Sequence, residues 1–202
     1  TELSETYRTL PKHTYLTKRI INNMNKTKNS TVKSGAKLNL GCGRKIIPGW
    51  VNVDIQKGAG VDKSFDFNTS PYPFIDNTFS LVLLDNVLEH LDDPKKVLEE
   101  LHRISIPHGK IIIKVPYYHC KGAYKDITNQ HFFNETTFDN LINPEDHYAL
   151  NAPIYNKRFK IDRLELIPTR FGILFPSFIR RQASYVLGEI FKEIEVHLLV
   201  MK

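Results

Sequence analysis

The chain has 202 residues, 41% hydrophobic and 25% charged, which suits one globular domain with a single sizeable core. No run approaches the roughly eighteen apolar residues that a membrane-spanning helix needs. The two cysteines, Cys42 and Cys120, give no framework for disulfides or zinc, and the polar start has no apolar leader, which points to a reducing, cytoplasmic setting.

The net charge of +6 is concentrated at one end. Residues 1–37 hold eight Lys and Arg against Glu2 and Glu5, and the remainder of the chain balances. This argues against a nucleic-acid groove spread over the fold. It allows a local attraction to an anionic substrate, lipid surface or phosphate, or simply a solvated segment. Residues 1–36 therefore read as a basic helical arm and linker. Leu16, Ile20 and Met24 at i, i+4 and i+8 predict a helix over 12–25. Residues 37–202 read as the folded domain.

The domain opens on Lys37-Leu-Asn-Leu-Gly-Cys-Gly43, a short buried strand running into two glycines. Glycines there let a ligand approach the backbone. Trp50-Val-Asn-Val-Asp54 is a second strand with a carboxylate at its end, the edge where open α/β sheets bind ligands. Only seven residues, 44–50, separate Gly43 from Val51, and Pro48-Gly49 breaks any helix that starts there. The first crossover is thus at most a helical turn and a loop. No third glycine completes a dinucleotide fingerprint after Gly41 and Gly43, and a strong helix N-terminus for a pyrophosphate is missing, which disfavours NAD.

Gly58-Ala-Gly60 turns the chain toward a short strand ending near Asp66. Residues 68–78 read as loop, and 79–84 as a central parallel strand, apolar throughout and ending at Asp85-Asn86. Asp93 caps the next helix with Pro94 at its first position. Val97, Leu98, Leu101 and Ile104 form that helix's inner face, and Glu99 is spaced to pair with Arg103. Pro107 and Gly109 end the unit, and residues 110–115 are the fifth strand. Residues 117–130 are polar, aromatic and irregular, on the ligand side, before a helix that Thr136 or Thr137 starts. Strands follow over 159–167 and 194–200. Between them Pro176 opens a helix with Phe178, Ile179, Ala183, Val186 and Leu187 on its apolar side. Aromatics and two arginines over 171–181 suit peripheral contact with a membrane surface, although such a helix more often covers the sheet.

Asp66-Phe67 and then Pro71-Tyr-Pro-Phe-Ile-Asp-Asn-Thr-Phe-Ser-Leu-Val-Leu-Leu-Asp-Asn-Val-Leu-Glu-His-Leu-Asp-Asp-Pro94 resemble the class I S-adenosylmethionine-dependent methyltransferases, and in particular the type 11 group. The Leu-Asn-Leu-Gly-Cys-Gly and Val-Asn-Val-Asp-Ile segments match that family's first two motifs, and the resemblance covers about residues 38–141. It departs at Asn39, where many members carry an acid, and in the short first crossover. It implies a three-layer α/β, Rossmann-like fold with a seven-stranded, mostly parallel sheet and an antiparallel last strand. It implies S-adenosyl-L-methionine as cofactor. Gly41 and Gly43, with Leu40 and Cys42 beside them, would line the methionine end. Asp54, followed by Ile55, would take the ribose hydroxyls. Asp66 and Phe67 would flank the adenine, and Asp85 and Asn86 would face the sulfonium.

Methyl transfer needs positioning and a group to take the acceptor's proton, and no metal. Candidate bases are His90, His119 and His131, since histidine titrates near working pH. Each has a structural alternative, His90 as a turn-holding residue and the other two within an aromatic cluster. The spacing of the three histidines and Asp126 fits no metal-ligand pattern. The expected acceptor is a polar small molecule, glycan- or nucleotide-linked, methylated on oxygen. The competing readings are a nucleic-acid methyltransferase and a non-catalytic cofactor-binding protein. No Asn-Pro-Pro-Tyr motif for flipped bases follows the fourth strand; Asp85-Asn-Val-Leu88 stands there.

Overall fold

In the computed structural model, residues 32–142 and 158–202 are described. The helix expected over 12–25 lies outside them. Seven strands, β1 (Ala36–Leu40), β2 (Val51–Asp54), β3 (Lys63–Ser64), β4 (Phe79–Asp85), β5 (Ser105–Pro116), β6 (Phe159–Pro168) and β7 (Phe191–Val200), form one sheet. Their order is β3-β2-β1-β4-β5-β7-β6. The first five pair in parallel, and β7 runs antiparallel to both β5 and β6. The expected sheet, with its antiparallel last strand, is present. Leu38, Leu40, Val82, Leu84, Ile111, Ile113, Val196 and Val200 are fully buried, so the apolar runs that predicted strands also make the core.

Helix α1 (Pro94–Ile104) packs Val97, Leu98, Leu101 and Ile104 inward, and the Asp93 carboxylate accepts from the amides of Lys95 and Lys96. The helices α2 (Lys121–Lys125) and α3 (Glu135–Ile142) follow β5, and α4 (Ser177–Val186) lies between β6 and β7. Residues 44–50 hold no helix. Two buried asparagines replace it. Asn39 Nδ2 donates to Lys45 O and to Asn52 Oδ1, while Asn52 accepts from Ile47 N and donates to Ile47 O and Trp50 O. These bonds satisfy loop groups that a helix would otherwise satisfy internally.

Several local expectations need correction. The third strand ends at Ser64, two residues short of Asp66. Pro107 and Gly109 do not separate helix from strand: β5 begins at Ser105, and its register to β4 shifts between Phe79 and Leu81, so residues 106–109 form a bulge. Arg103 pairs with Glu100 and Asp76, and Glu99 instead lies 3.5 Å from Arg158. Arg103 also donates to Phe74 O and Tyr72 O, so it clamps residues 72–76 onto α1. The Asn134 side chain, not Thr136 or Thr137, caps α3 by accepting from Thr137 N. Not all the apolar side chains of α4 cover the sheet: Ala183 packs against the core, but Phe178 is 79% and Val186 81% exposed, while Ser184 is buried.

Candidate functional site

The parallel strands bring Gly41, Asp54, Asp85 and Pro116 to one edge, at the carboxyl ends of β1, β2, β4 and β5. β6 runs parallel to β5, because both oppose β7, so residues 169–190 emerge on the same edge.

The β1–β2 side is built from backbone amides and carboxylates. Gly41 N and Cys42 N both donate to Val53 O, which turns the chain sharply out of β1. Gly41 has φ +72°, and a Cβ there would sit 2.3 Å from Val87 Cγ2, so glycine is required on both counts. Asp54 accepts from Gly43 N at 2.8 Å and from Gln56 N at 3.1 Å. A carboxylate offers about four acceptor directions, so two remain for ribose hydroxyls. Ile55 is exposed beside it, as an apolar shelf would be. Asp66 is exposed, and its Oδ1 accepts from Asn68 N. This edge fits S-adenosylmethionine.

Three residues placed with the cofactor by resemblance turn their side chains elsewhere. Leu40 and Cys42 are buried, and burial raises the Cys42 thiol pKa. Phe67 is buried edge-on against Phe65, 5.0 Å between centroids. Lys45, just after the two glycines, reaches across the edge to Asp85 at 2.6 Å, and Asp85 also accepts from Asn86 Nδ2. Asn86 has φ +57°.

The β5 side holds a cavity of about 550 Å³. The 3₁₀ turn Leu88–His90 forms one wall and residues 122–129 the other. Backbone bonds from Gln130 N and His131 N to Glu89 O, and Gln130 Nε2 to His90 O, stitch the two walls together. Of the three histidines, His90 lines this cavity, with its Nδ1 3.0 Å from Thr128 Oγ1. His119 Nδ1 lies 3.0 Å from Ser184 O, and its ring stacks on Tyr118. It faces a separate hollow of about 510 Å³ beside Gly188 and Glu189. His131 Nε2 lies 2.9 Å from Leu91 O. The structure thus brings one histidine to the cavity and ties two to backbone carbonyls. Among the described residues, no group of three or more His, Cys, Asp or Glu is placed to hold a metal ion.

Glu89 was missed by sequence reasoning. It lines the same cavity, is 1% exposed, and its Oε2 has no partner. Burial, with Asp85 and Asp126 nearby, pushes its pKa up to about 7 against the pull of its own backbone amide and His90. The available signal was a charged residue inside the Val87-Leu88-Glu89-His90 turn, but nothing local says that the turn is buried.

No helix among the described residues is long and apolar enough to cross a membrane. Residues 51–113 match the family model described as a methyltransferase domain. A protein of Methanocaldococcus jannaschii, described only as uncharacterised, is 30% identical over 118 residues; the chain spans 44% of its length, and the match covers 58% of this chain. Among solved structures, an S-adenosylmethionine-dependent methyltransferase from Archaeoglobus fulgidus superposes with a TM-score of 0.55 at 15% identity, covering 90% of this chain and 93% of that one. Phosphoethanolamine N-methyltransferase 2 of Haemonchus contortus, in complex with S-adenosyl-L-methionine, gives 0.54 at 16% identity, over 89% of this chain and 53% of that one. The sheet order and these superpositions show the fold shared with S-adenosylmethionine-dependent methyltransferases, and residues 51–113 within it resemble a methyltransferase domain.

Proposed function

We propose that the protein is an enzyme that methylates a polar small molecule on oxygen, with S-adenosyl-L-methionine as cofactor. The observation that carries this is the adjacency of two sites on one edge. Asp85 and Asn86 end β4 beside the glycine-and-acid edge, and Asn86, Glu89 and His90 line the cavity next to it.

The bound cofactor supplies a methyl group already activated on a sulfonium, suited to in-line displacement. The chain's part is to bind, orient and move a proton. Asp54 would hold the ribose, Gly41 and Gly43 would present backbone to the methionine end, and Asp66 would flank the adenine. Residues 117–131 would hold the acceptor. His90 would take its proton, because it is the histidine that lines the cavity. His119 and His131 would position the wall. The acceptor would be a glycan- or nucleotide-linked molecule, and the basic segment before Leu38 would attract a phosphate on it.

The test is calorimetry with S-adenosylmethionine and S-adenosylhomocysteine, followed by a screen of acceptors for S-adenosylhomocysteine release. Micromolar binding of both, with turnover on a sugar or nucleoside derivative, is expected. Binding without turnover on any acceptor supports a non-catalytic role, and turnover only on RNA or DNA supports the nucleic-acid alternative.

A further inference from the structure

Three buried side-chain atoms among the described residues have no hydrogen-bond partner, and two of them, Glu89 Oε2 and Asn129 Oδ1, belong to residues that line one cavity. The Asn129 amide is not ambiguous in orientation. Its Nδ2 donates to Ala123 O at 2.9 Å and to Gly122 O at 3.4 Å, so its oxygen must be the free end. Both orphans are acceptors. Leaving such a group buried and unpaired costs about 1–3 kcal/mol, more for a charge. A ligand that supplies donors recovers that cost.

We propose, on the reading that the protein is a methyltransferase, that Glu89 and Asn129 form a recognition pair for the acceptor, whose reacting end carries two hydrogen-bond donors and no negative charge. Vicinal hydroxyls and amino alcohols have this chemistry. An anion at the same place would meet Glu89 and Asp126 across the cavity, with Lys125 as the cation lining it. The pair lies on the β5 side of Asn86, away from Asp54, so it belongs to the acceptor and not to the ribose.

The experiment uses the full chain saturated with S-adenosylhomocysteine, whose binding is measured first by calorimetry. Failure at that step defeats the methyltransferase reading, separately from this one. Side-chain amide and carboxyl NMR signals are then followed while methyl α-glucoside, 2-aminoethanol, fully O-methylated methyl glucoside and inorganic phosphate are added in turn. The glucoside or the amino alcohol is expected to move the Asn129 amide and Glu89 carboxyl signals, and the comparison of these two says whether the donors are hydroxyls or an amine. The methylated glucoside, which keeps the skeleton and loses the donors, should move neither signal, and phosphate should move neither. Glu89→Gln should weaken the responding probe by about tenfold to a hundredfold, the effect of losing a hydrogen bond to a charged group. Asn129→Ser should weaken it less. Equal response to the methylated glucoside, no response to any donor probe, or unchanged affinity in both variants overturns the proposal. So does a Glu89→Gln variant that folds but loses S-adenosylhomocysteine, since the pair would then serve the cofactor.

Discussion

The two sides of β4 are built in opposite ways. On the β1–β2 side, main-chain amides and fixed carboxylates make the surface: Gly41 N and Cys42 N on Val53 O, Gly43 N and Gln56 N on Asp54. Nearly all of it lies within a few residues of two strand ends. On the β5–β7 side, irregular segments make the wall, held by side chains reaching across the sequence, such as His90 to Thr128 and His119 to Ser184 O. That side also exposes Tyr124, Ile127, Phe171, Leu174, Phe178 and Val186. A wall made of backbone tolerates little change, because each amide is fixed by the strand that ends there. A wall made of side chains on loops can be altered without disturbing the sheet.

The contrast predicts different responses to mutation. The largest effect is expected at His90. With any acceptor that turns over, His90→Ala should lower kcat by about 10²–10⁴-fold and leave cofactor affinity unchanged. His119→Ala and His131→Ala, which remove bonds to backbone carbonyls, should act mainly on stability, by about 1 kcal/mol each in denaturant titration. Full turnover in the His90 variant would remove it as the base.

A second effect comes from Glu89. Its folded pKa of about 7 lies above the ordinary 4.5, so the folded state binds the proton more tightly than the unfolded chain. Its stabilising contribution is complete below about pH 4 and is lost as pH rises through 7. Urea unfolding between pH 4 and 8 should therefore show a decline of about 3 kcal/mol from this group. Glu89→Gln should flatten it, and an identical slope in the variant would show that the carboxyl titrates normally.

On the other wall, Asp54→Ala should weaken S-adenosylmethionine by roughly tenfold to a hundredfold, the loss of a charge-assisted bond worth about 1.5–3 kcal/mol. An unchanged dissociation constant would separate Asp54 from the ribose. The smallest effect belongs to Lys45, whose bridge to Asp85 is short but has a largely exposed lysine. Lys45→Met should change stability by less than about 1 kcal/mol, and its salt dependence should be weak. A larger loss would make the bridge part of the cofactor wall.

Much of the fold follows from the sequence. The continuous apolar run of β4, the alternation of Ile194, Val196, Leu198 and Val200, and the Asp93-Pro94 start of α1 are local signals, and each survives in the structure because local propensity and burial agree there. Pro48-Gly49 and the seven-residue gap likewise determined that the first crossover has no helix. The glycine-and-acid edge was legible for the same reason, since a strand's end is a local property.

Only the tertiary structure decided the rest. It set which asparagines close the first loop, that Arg103 holds residues 72–76, that β5 absorbs Pro107 and Gly109 in a bulge, and that α4 turns apolar side chains outward. It also chose His90 over His119 and His131 for the cavity and left Glu89 buried there without a donor on Oε2. Periodicity reports whether a residue faces a core, not which partner from 40 or 65 positions away meets it. Those meetings depend on how loops from different strands converge on one edge, and that convergence is set by the sheet order.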